Sequence, residues 1–145
     1  MKKWIKIILL LAVAGIIAAF LIFRFYINKS HPDFEKMPAE YSLNAENLYK
    51  EFTSNKDLSE KKYNGKVIEI NGALSKVESV DSLSVAVFVY KQGDFGDEGI
   101  RCTMLRKYND EAQKITTGTI VKIKGFCSGY NETDIIFEKA SFVKE

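Results

Sequence analysis

KVIEINGALSKVE, residues 66–78, alternates apolar and polar side chains and carries Gly72 near its centre. Alternation with a period of two is typical of a β-strand with one buried face, and it puts Ile68, Ile70 and Leu74 on that face. A glycine inside a strand indicates a bulge or a sharp bend. We therefore predict one long strand from Lys66 to Glu78 that bends at Gly72.

The chain after this strand predicts four more strands and one helix. Each predicted strand is rich in β-branched or aromatic residues and is bounded by turn residues. In chain order we expect strands at Leu83–Tyr90 and Ile100–Leu105, separated by a loop at Lys91–Gly99, a helix at Arg106–Ile115, and strands at Thr119–Cys127 and Thr133–Val143. A bent first strand and a helix between strands 3 and 4 are typical of a mainly β fold, the five-stranded OB barrel. A small open sheet covered by the N-terminal helix is the alternative.

An amphipathic helix precedes the first strand. Asn44 is a good N-cap, and the apolar residues after it have helical spacing: Ala45, Leu48, Tyr49 and Phe52. For the barrel interior, the alternation predicts twelve inward side chains: Ile68, Ile70, Leu74, Val85, Val87, Val89, Ile100, Met104, Val121, Ile123, Ile135 and Phe137.

The N-terminal segment predicts a transmembrane helix. Residues 7–23 carry no charge, and Trp4 at one end with Phe25 and Tyr26 at the other resemble an interfacial aromatic belt. Residues 4–26 are therefore expected to lie in a membrane. Three lysines precede the span, whereas Arg24 and Lys29 follow it, which favours a cytoplasmic N-terminus and an exported body in the periplasm or at the cell exterior. The alternative is a signal peptide cleaved after Ala14, behind the small residues Ala12 and Ala14.

These patterns predict three parts: a transmembrane anchor with a short cytoplasmic tail at 1–27, an extended linker at 28–41 and an OB-fold domain with its leading helix at 42–145.

The basic character of the chain belongs to its N-terminal part, because residues 41–145 contain 15 basic and 16 acidic side chains. Proteins that bind polyphosphate chains through bulk charge are usually strongly basic, so nucleic acid is a disfavoured partner. One histidine and two cysteines also exclude multi-histidine and four-cysteine metal sites.

Several blocks of the chain match a known family in register. They are NAENLY at 44–49, KYNGKVIEING at 62–72, IRC at 100–102 and GTIVKIKGFCSG at 118–129, with HPD upstream at 31–33. With these blocks the body, from about Ser42 to Val143, resembles the bacterial tRNA_anti-like family of OB-fold proteins. The resemblance implies one OB domain behind an N-terminal anchor or lipid attachment, and it brings no established catalytic residues. This chain departs from lipid-attached members because no cysteine lies near its N-terminus.

The alternation places Cys102 and Cys127 on the inward faces of strands 3 and 4. Three interpretations of this pair are open. They could form a disulfide, which an exported location permits, or they could be reduced core residues. A redox or metal role is the third, although no CxxC spacing or nearby histidine supports it. In a regular OB barrel strand 5 lies between strands 3 and 4, so the bridge would require the barrel to be pinched.

No group of residues in the sequence suggests a catalytic site, and none suggests a cofactor. The acids of Lys91–Gly99 could bind calcium in principle, but they lack the spacing of a known calcium loop. An OB domain usually binds its ligand on the exposed face of strands 2 and 3, beside the loops 1–2 and 4–5. The expected outward residues are Phe88, Tyr90, Lys91, Arg101 and Thr103, with Tyr130 and Asn131 from the 4–5 loop. The alternative is that Phe88 and Tyr90 pack under the leading helix or under the Lys91–Gly99 loop and bind nothing.

The sequence therefore predicts a non-enzymatic, membrane-anchored binding module at the cell envelope. Its expected partner is a protein, a peptide or a glycan. The alternative is a domain that binds single-stranded nucleic acid, because aromatic residues beside Lys and Arg also form base-stacking platforms.

Overall fold

The N-terminal stretch forms one long apolar helix in the computed structural model, which describes residues 2–27 and 32–144. Helix α1 spans Lys2–Ile22, and a π-helical turn at Phe23–Ile27 follows it. Within the described residues, Lys2–Phe25 is the one helix that is long and apolar enough to cross a membrane. Two residues used in the sequence predictions lie outside the described residues: Lys29, which follows the apolar span, and His31, the first residue of the HPD block. The helix belongs to the unit Met1–Pro32, and the rest of the chain forms a second unit, Asp33–Glu145.

The second unit is built on a mixed sheet of seven strands. The strands are β1 (Tyr41–Asn44), β2 (Val67–Ala73), β3 (Lys76–Val80), β4 (Leu83–Gly93), β5 (Gly96–Met104), β6 (Ile120–Tyr130) and β7 (Asp134–Phe142). The helices are α2 (Ala45–Ser54) and α3 (Lys56–Tyr63) before β2, and a 3-10 turn (Arg106–Tyr108) with α4 (Asn109–Lys114) between β5 and β6. The strand order is β1-β2-β6-β7-β5-β4-β3, so the sheet is open and has β1 and β3 at its edges.

The expectation of five strands was wrong for two reasons. The predicted long strand is divided, because the Leu74 N–H bonds to the carbonyl of Thr119 while the Ser75 N–H bonds to that of Val87. The chain thus changes its partner from β6 to β4 two residues after Gly72, and it becomes β2 and β3. The additional strand β1 comes from residues expected in the linker and leading helix, and it pairs in parallel with β2.

The phase of strand β4 was also predicted wrongly. Register pairs Ala86 with Cys102 and Phe88 with Ile100, and these four side chains belong to the core. Val85, Val87 and Val89 lie on the opposite face, although we expected them inside. The other nine expected inward residues all belong to the core, together with the apolar face of α2.

The predicted loop at Lys91–Gly99 is instead the end of a long hairpin. Strand β4 continues to Gly93 and β5 begins at Gly96, so that Asp94 and Phe95 form the tip. The Phe95 side chain is fully exposed there. Strand propensity did not suggest this extension, because cross-strand pairing rather than the three glycines determines where the hairpin ends.

Residues 33–37, expected within the extended linker, pack against the sheet and form what we call the strap. The Phe34 ring stacks on Phe126 of β6 with centroids 4.7 Å apart. The Glu35 carboxylate accepts hydrogen bonds from Lys107 and Tyr108, and Lys124 donates to the carbonyl of Met37 at 2.9 Å. The strap therefore belongs to the second unit.

Candidate functional site

Two of the expected ligand residues lie under the leading helix. Phe88 is fully buried in the core. Tyr90 is half-buried and stacks on Tyr49 of α2 with ring centroids 5.5 Å apart. The phenolic oxygen of Tyr90 also lies close to Gly72, where an added Cβ would meet it at 3.2 Å and Ala45 at 3.1 Å. Gly72 thus allows α2 to approach the sheet, and neither Phe88 nor Tyr90 presents a free ring.

Arg101 and Thr103 lie on the outer face of β5, opposite the core. Arg101 donates to Glu78 at 2.6 Å and to Asp134 at 2.9 Å. Lys76 makes 2.9 Å ion pairs with both Glu78 and Asp97. These hydrogen bonds, from Lys76 first and then from Arg101, hold the pKa of Glu78 below its usual value although burial opposes them. The Arg101 cation is therefore already neutralised by two carboxylates and has little capacity left for a phosphate.

Two other expected residues, Lys91 and Tyr130, meet at a groove on the opposite side of the hairpin. The groove has a volume of about 400 Å³ and lies between α2, α3, the β4–β5 hairpin and the β6–β7 connection. We call it the aromatic groove. Its lining is Tyr49, Phe52, Thr53, Lys56, Lys91, Glu98, Tyr130 and Glu132.

The aromatic part of the groove is supported from behind by the core. Phe52 is fully buried and packs against Tyr130 with ring centroids 5.5 Å apart. The Tyr130 hydroxyl donates to the carbonyl of Glu132 at 2.9 Å, which fixes its ring at the mouth of the groove. The Lys56 ammonium lies 6.0 Å from the Tyr130 centroid. The half-buried Tyr130 ring is thus held in place and keeps part of its surface accessible.

The charges of the groove are balanced. Lys56 pairs with Glu132 at 3.2 Å, and Lys91 pairs with Glu98 at 3.1 Å. The Tyr49 hydroxyl donates to the second of these carboxylates at 3.2 Å. Burial and this hydrogen bond to Glu98 together raise the pKa of Tyr49 to about 12, so the phenol stays protonated and acts as a donor. The groove therefore offers hydroxyl, ammonium and carboxylate groups without an excess of positive charge.

Asn131 has a local structural role at the end of β6. Its side-chain oxygen accepts hydrogen bonds from the backbone N–H groups of Thr133 at 3.1 Å and Asp134 at 2.7 Å. This closes the β6–β7 turn, in which Glu132 takes a positive φ of 77°. Asn131 thus shapes the edge of the aromatic groove without lining it.

Cys102 and Cys127 are free, buried thiols. Both are paired in register with Phe137, Cys102 from β5 and Cys127 from β6, so β7 lies between them. Two strand spacings separate their Cα atoms by about 9–10 Å, beyond the limit of about 7 Å for a disulfide. Burial raises the pKa of both thiols, that of Cys127 to about 12. In residues 2–27 and 32–144, no three His, Cys, Asp or Glu side chains are grouped to hold a metal ion.

Sequence reasoning missed most of the groove lining. Tyr49 and Phe52 were assigned to the buried face of α2, where they do lie, but that face extends to the mouth of the groove. Lys56, Glu98 and Glu132 belong to three segments that are far apart in sequence, and no local pattern brings such segments together. Of the lining residues, the sequence predicted two as ligand residues: Lys91 and the aromatic residue of the expected 4–5 loop, Tyr130.

The model of the tRNA_anti-like family matches residues 1–142, nearly the entire chain. The chain belongs to the tRNA_anti-like family. This confirms the resemblance that the sequence blocks carried. No curated protein sequence matches this tRNA_anti-like chain.

Two solved structures are among those similar to this tRNA_anti-like chain. A lipoprotein from Klebsiella pneumoniae, provisionally described as nucleic acid-binding, has a TM-score of 0.52 at 12% identity, over 80% of this chain and 100% of its own. An aspartyl-tRNA synthetase from Entamoeba histolytica has a TM-score of 0.43 at 15% identity, over 81% of this chain and 24% of its own. At 12% identity, the likeness to the lipoprotein concerns the fold alone.

Proposed function

We propose that this tRNA_anti-like protein is a membrane-anchored binding module whose aromatic groove holds a neutral, polar ligand, namely a glycan. The proposal rests on one observation: each lysine of the groove is paired with a carboxylate beside the accessible ring of Tyr130. A fixed ring offers a flat apolar surface, and the surrounding donors and acceptors can bond to hydroxyl groups. OB folds are known to bind oligosaccharides as well as oligonucleotides beside the loops 1–2 and 4–5.

The fold supports this assignment through the OB arrangement. In the OB interpretation β2 and β3 are the two halves of a bent first strand, and β4, β5, β6 and β7 are strands 2 to 5. The 3-10 turn and α4 then occupy the position between strands 3 and 4 that the OB helix takes. In this interpretation Tyr130 ends strand 4 and Glu132 belongs to the 4–5 loop, so the aromatic groove lies beside an expected ligand-binding loop.

The anchor supports a location at the cell envelope. Helix α1 is long enough to cross a bilayer, and the cations before the span favour an exported body. Such a body would meet envelope glycans, peptides and proteins rather than cytoplasmic RNA. No catalytic residue set is part of the proposal.

Single-stranded nucleic acid is the second candidate, because the Klebsiella pneumoniae neighbour is provisionally described as binding nucleic acid. A polyanion gains affinity when lysines and arginines release its counterions. The lysines of the groove and Arg101 are already paired with carboxylates, so such a ligand would first have to displace those ion pairs. The pairing favours the neutral ligand.

The test is binding of the full chain in phosphatidylcholine nanodiscs to an array of neutral and acidic oligosaccharides, with a poly(dT) oligonucleotide as a separate probe. We expect binding of a neutral oligosaccharide that changes little with salt. Tyr130→Ala should weaken it about tenfold, or about 1.4 kcal/mol. Phe95→Ala is the matched control, because this aromatic ring at the tip of the β4–β5 hairpin is fully exposed, lies outside the groove lining and should be dispensable.

Two results would contradict the proposal. One is the absence of any bound oligosaccharide on the array. The other is binding of poly(dT) that falls steeply with salt, which would make nucleic acid the ligand.

A further inference from the structure

A second pocket, of about 400 Å³, lies on a different part of the sheet from the aromatic groove. Its lining includes two partly exposed leucines, Leu83 and Leu105, and Thr103 from the outer face of β5. Met104 also borders it, although its side chain belongs to the buried core. Its polar rim consists of Arg106, Glu138 and Lys139. A volume of this size is within the range of small-molecule sites, about 300–1,000 Å³.

A bulge in β7 forms one wall of this aliphatic pocket. Cys102 of β5 is paired with Phe137 and Met104 with Ala140, so two residues of β7, Glu138 and Lys139, lie opposite Thr103 alone. Lys139 takes a φ of 50°, in the left-handed region that favours glycine. Bulges of this kind redirect side chains and are common beside functional sites. Both bulge residues, Glu138 and Lys139, belong to the pocket lining.

The rim carries a cation, Arg106, that forms no ion pair with Glu138 or with any other acid of the described residues. Arg106 is exposed and, in the part of the chain that the structure describes, makes no ion pair or side-chain hydrogen bond. The Lys139 ammonium lies 5.4 Å from the Phe34 centroid rather than beside a carboxylate. Aliphatic walls with a free guanidinium are complementary to a molecule that has an apolar chain and an anionic end.

We propose that this aliphatic pocket binds a single-chain fatty acid, with its carboxylate on Arg106 and its chain against Leu83 and Leu105. The pocket walls carry no aromatic ring, and the cation is suited to bidentate contact with a carboxylate. The same chain carries a helix of membrane-spanning length, so the source of the ligand is a lipid rather than a peptide. This site is independent of the aromatic groove and of any glycan bound there.

The experiment uses the full chain in phosphatidylcholine nanodiscs and a photoreactive dodecanoate with a diazirine at its chain end. After illumination, peptide mapping identifies the labelled residues. We expect label on residues 83 and 103–105 that excess unlabelled dodecanoate removes and dodecyltrimethylammonium does not. Arg106→Glu should reduce this label about tenfold, whereas Arg106→Lys should retain it within about threefold because it keeps the charge.

The matched control is Lys61→Glu, which reverses an exposed charge on α3 outside the pocket lining and should leave the label unchanged. Circular dichroism of each variant establishes that the fold is retained. Three outcomes would overturn the proposal: label confined to α1, equal competition by the cationic and anionic amphiphiles, or undiminished label in Arg106→Glu. A failure of glycan binding leaves these expectations unchanged, because the two sites share no lining residue.

Discussion

At the scale of single residues, the two thiols allow a direct test of the strand register. Cys102 and Cys127 lie on either side of Phe137, with β7 between them. We expect both to remain free when the protein is purified without reductant, and dithiothreitol to leave the unfolding midpoint unchanged. Iodoacetamide should modify them in denaturant but only slowly in the native state, because burial raises both pKa values and hides both sulfur atoms.

Mass spectrometry after alkylation counts the free thiols in this experiment. A loss of two hydrogen masses from the intact chain, together with a lower midpoint in dithiothreitol, would mean that a bridge forms and that β5 and β6 approach each other across β7.

Gly99 gives the second residue-scale prediction. A Cβ at this position would lie 1.8 Å from the backbone oxygen of Phe88, which cannot move without breaking the β4–β5 ladder. We expect Gly99→Ala to lower the free energy of unfolding by at least about 3 kcal/mol. Gly118→Ala is the matched control: it has open space around the Cβ but a φ of 88°, and should cost about 1 kcal/mol.

Urea unfolding followed by circular dichroism measures both glycine variants. Equal, small losses in the two would show that the hairpin backbone is free to move away from residue 99.

Side-chain alternation could be read correctly only where the two faces of a strand differ. In β2 and β6 buried aliphatic residues, such as Ile68 and Ile123, alternate with polar or charged residues, and the inward residues of both strands were predicted correctly. In β4, Val85 and Val87 alternate with Ala86 and Phe88. Both faces of the strand are therefore apolar, and the pattern does not indicate which face is buried. Val87 is nearly fully buried although it lies on the outer face beside Arg101. Val87 is paired in register with Lys76 and Arg101, and the stems of such long side chains cover neighbouring apolar surface, which single-sequence hydropathy does not describe.

At the scale of elements, the strap is held by one carboxylate with two donors. Lys107 first, and Tyr108 second, donate hydrogen bonds that hold the pKa of Glu35 below its ordinary value of 4.5. When folding lowers the pKa of a carboxylate, the ionised group stabilises the fold fully at pH values above the pKa that it has in the unfolded chain. This stabilisation is lost as pH falls through the lower pKa of the folded state. The strap should therefore be attached most firmly near neutral pH.

We expect Glu35→Gln to lower the free energy of unfolding by about 1 kcal/mol near neutral pH. The difference from the natural chain should shrink as pH falls from about 7 toward 3. Glu111→Gln is the matched control, because this exposed carboxylate lies 3.9 Å from Lys144 and should contribute little at any pH. Denaturant unfolding at several pH values measures all three proteins, and a Glu35→Gln curve parallel to that of the natural chain would contradict the role of the carboxylate.

The strap and β1 could not be read from the sequence because both depend on distant partners. Phe34 is an isolated aromatic residue between prolines and charges, and only Phe126, far along the chain, gives it a surface to pack on. Helix α2, by contrast, is determined by neighbouring residues in the sequence. At its start the Asn44 side chain accepts hydrogen bonds from the N–H groups of Glu46 and Asn47. Its capping residue and its apolar face are local features, so the helix was predicted correctly.

At the scale of the whole molecule, the apolar segment leads to opposite expectations for an anchor and for a cleaved signal peptide. If residues 1–27 remain as an anchor, the tryptic peptide from Ile7 to Arg24 should be recovered intact from membranes. Cleavage after Ala14 would leave a peptide that begins at Gly15 and would release the body from the membrane. Mass spectrometry of carbonate-washed membranes measures this, and recovery of only the shorter peptide would contradict the anchor.

The side of the membrane on which the body lies follows from the same charges. Lys2, Lys3 and Lys6 precede the span, and we expect them to keep the N-terminus in the cytoplasm. An added protease should therefore digest the body, Asp33–Glu145, in cells whose inner membrane is intact and whose outer layers have been opened. The matched variant replaces the three lysines with glutamate, which removes the bias and should protect a fraction of the bodies from digestion. Protection of the natural body until the inner membrane is broken would place it with the cytoplasmic nucleic acids. In that case the balanced charge of residues 41–145 would be the main remaining argument against an RNA ligand.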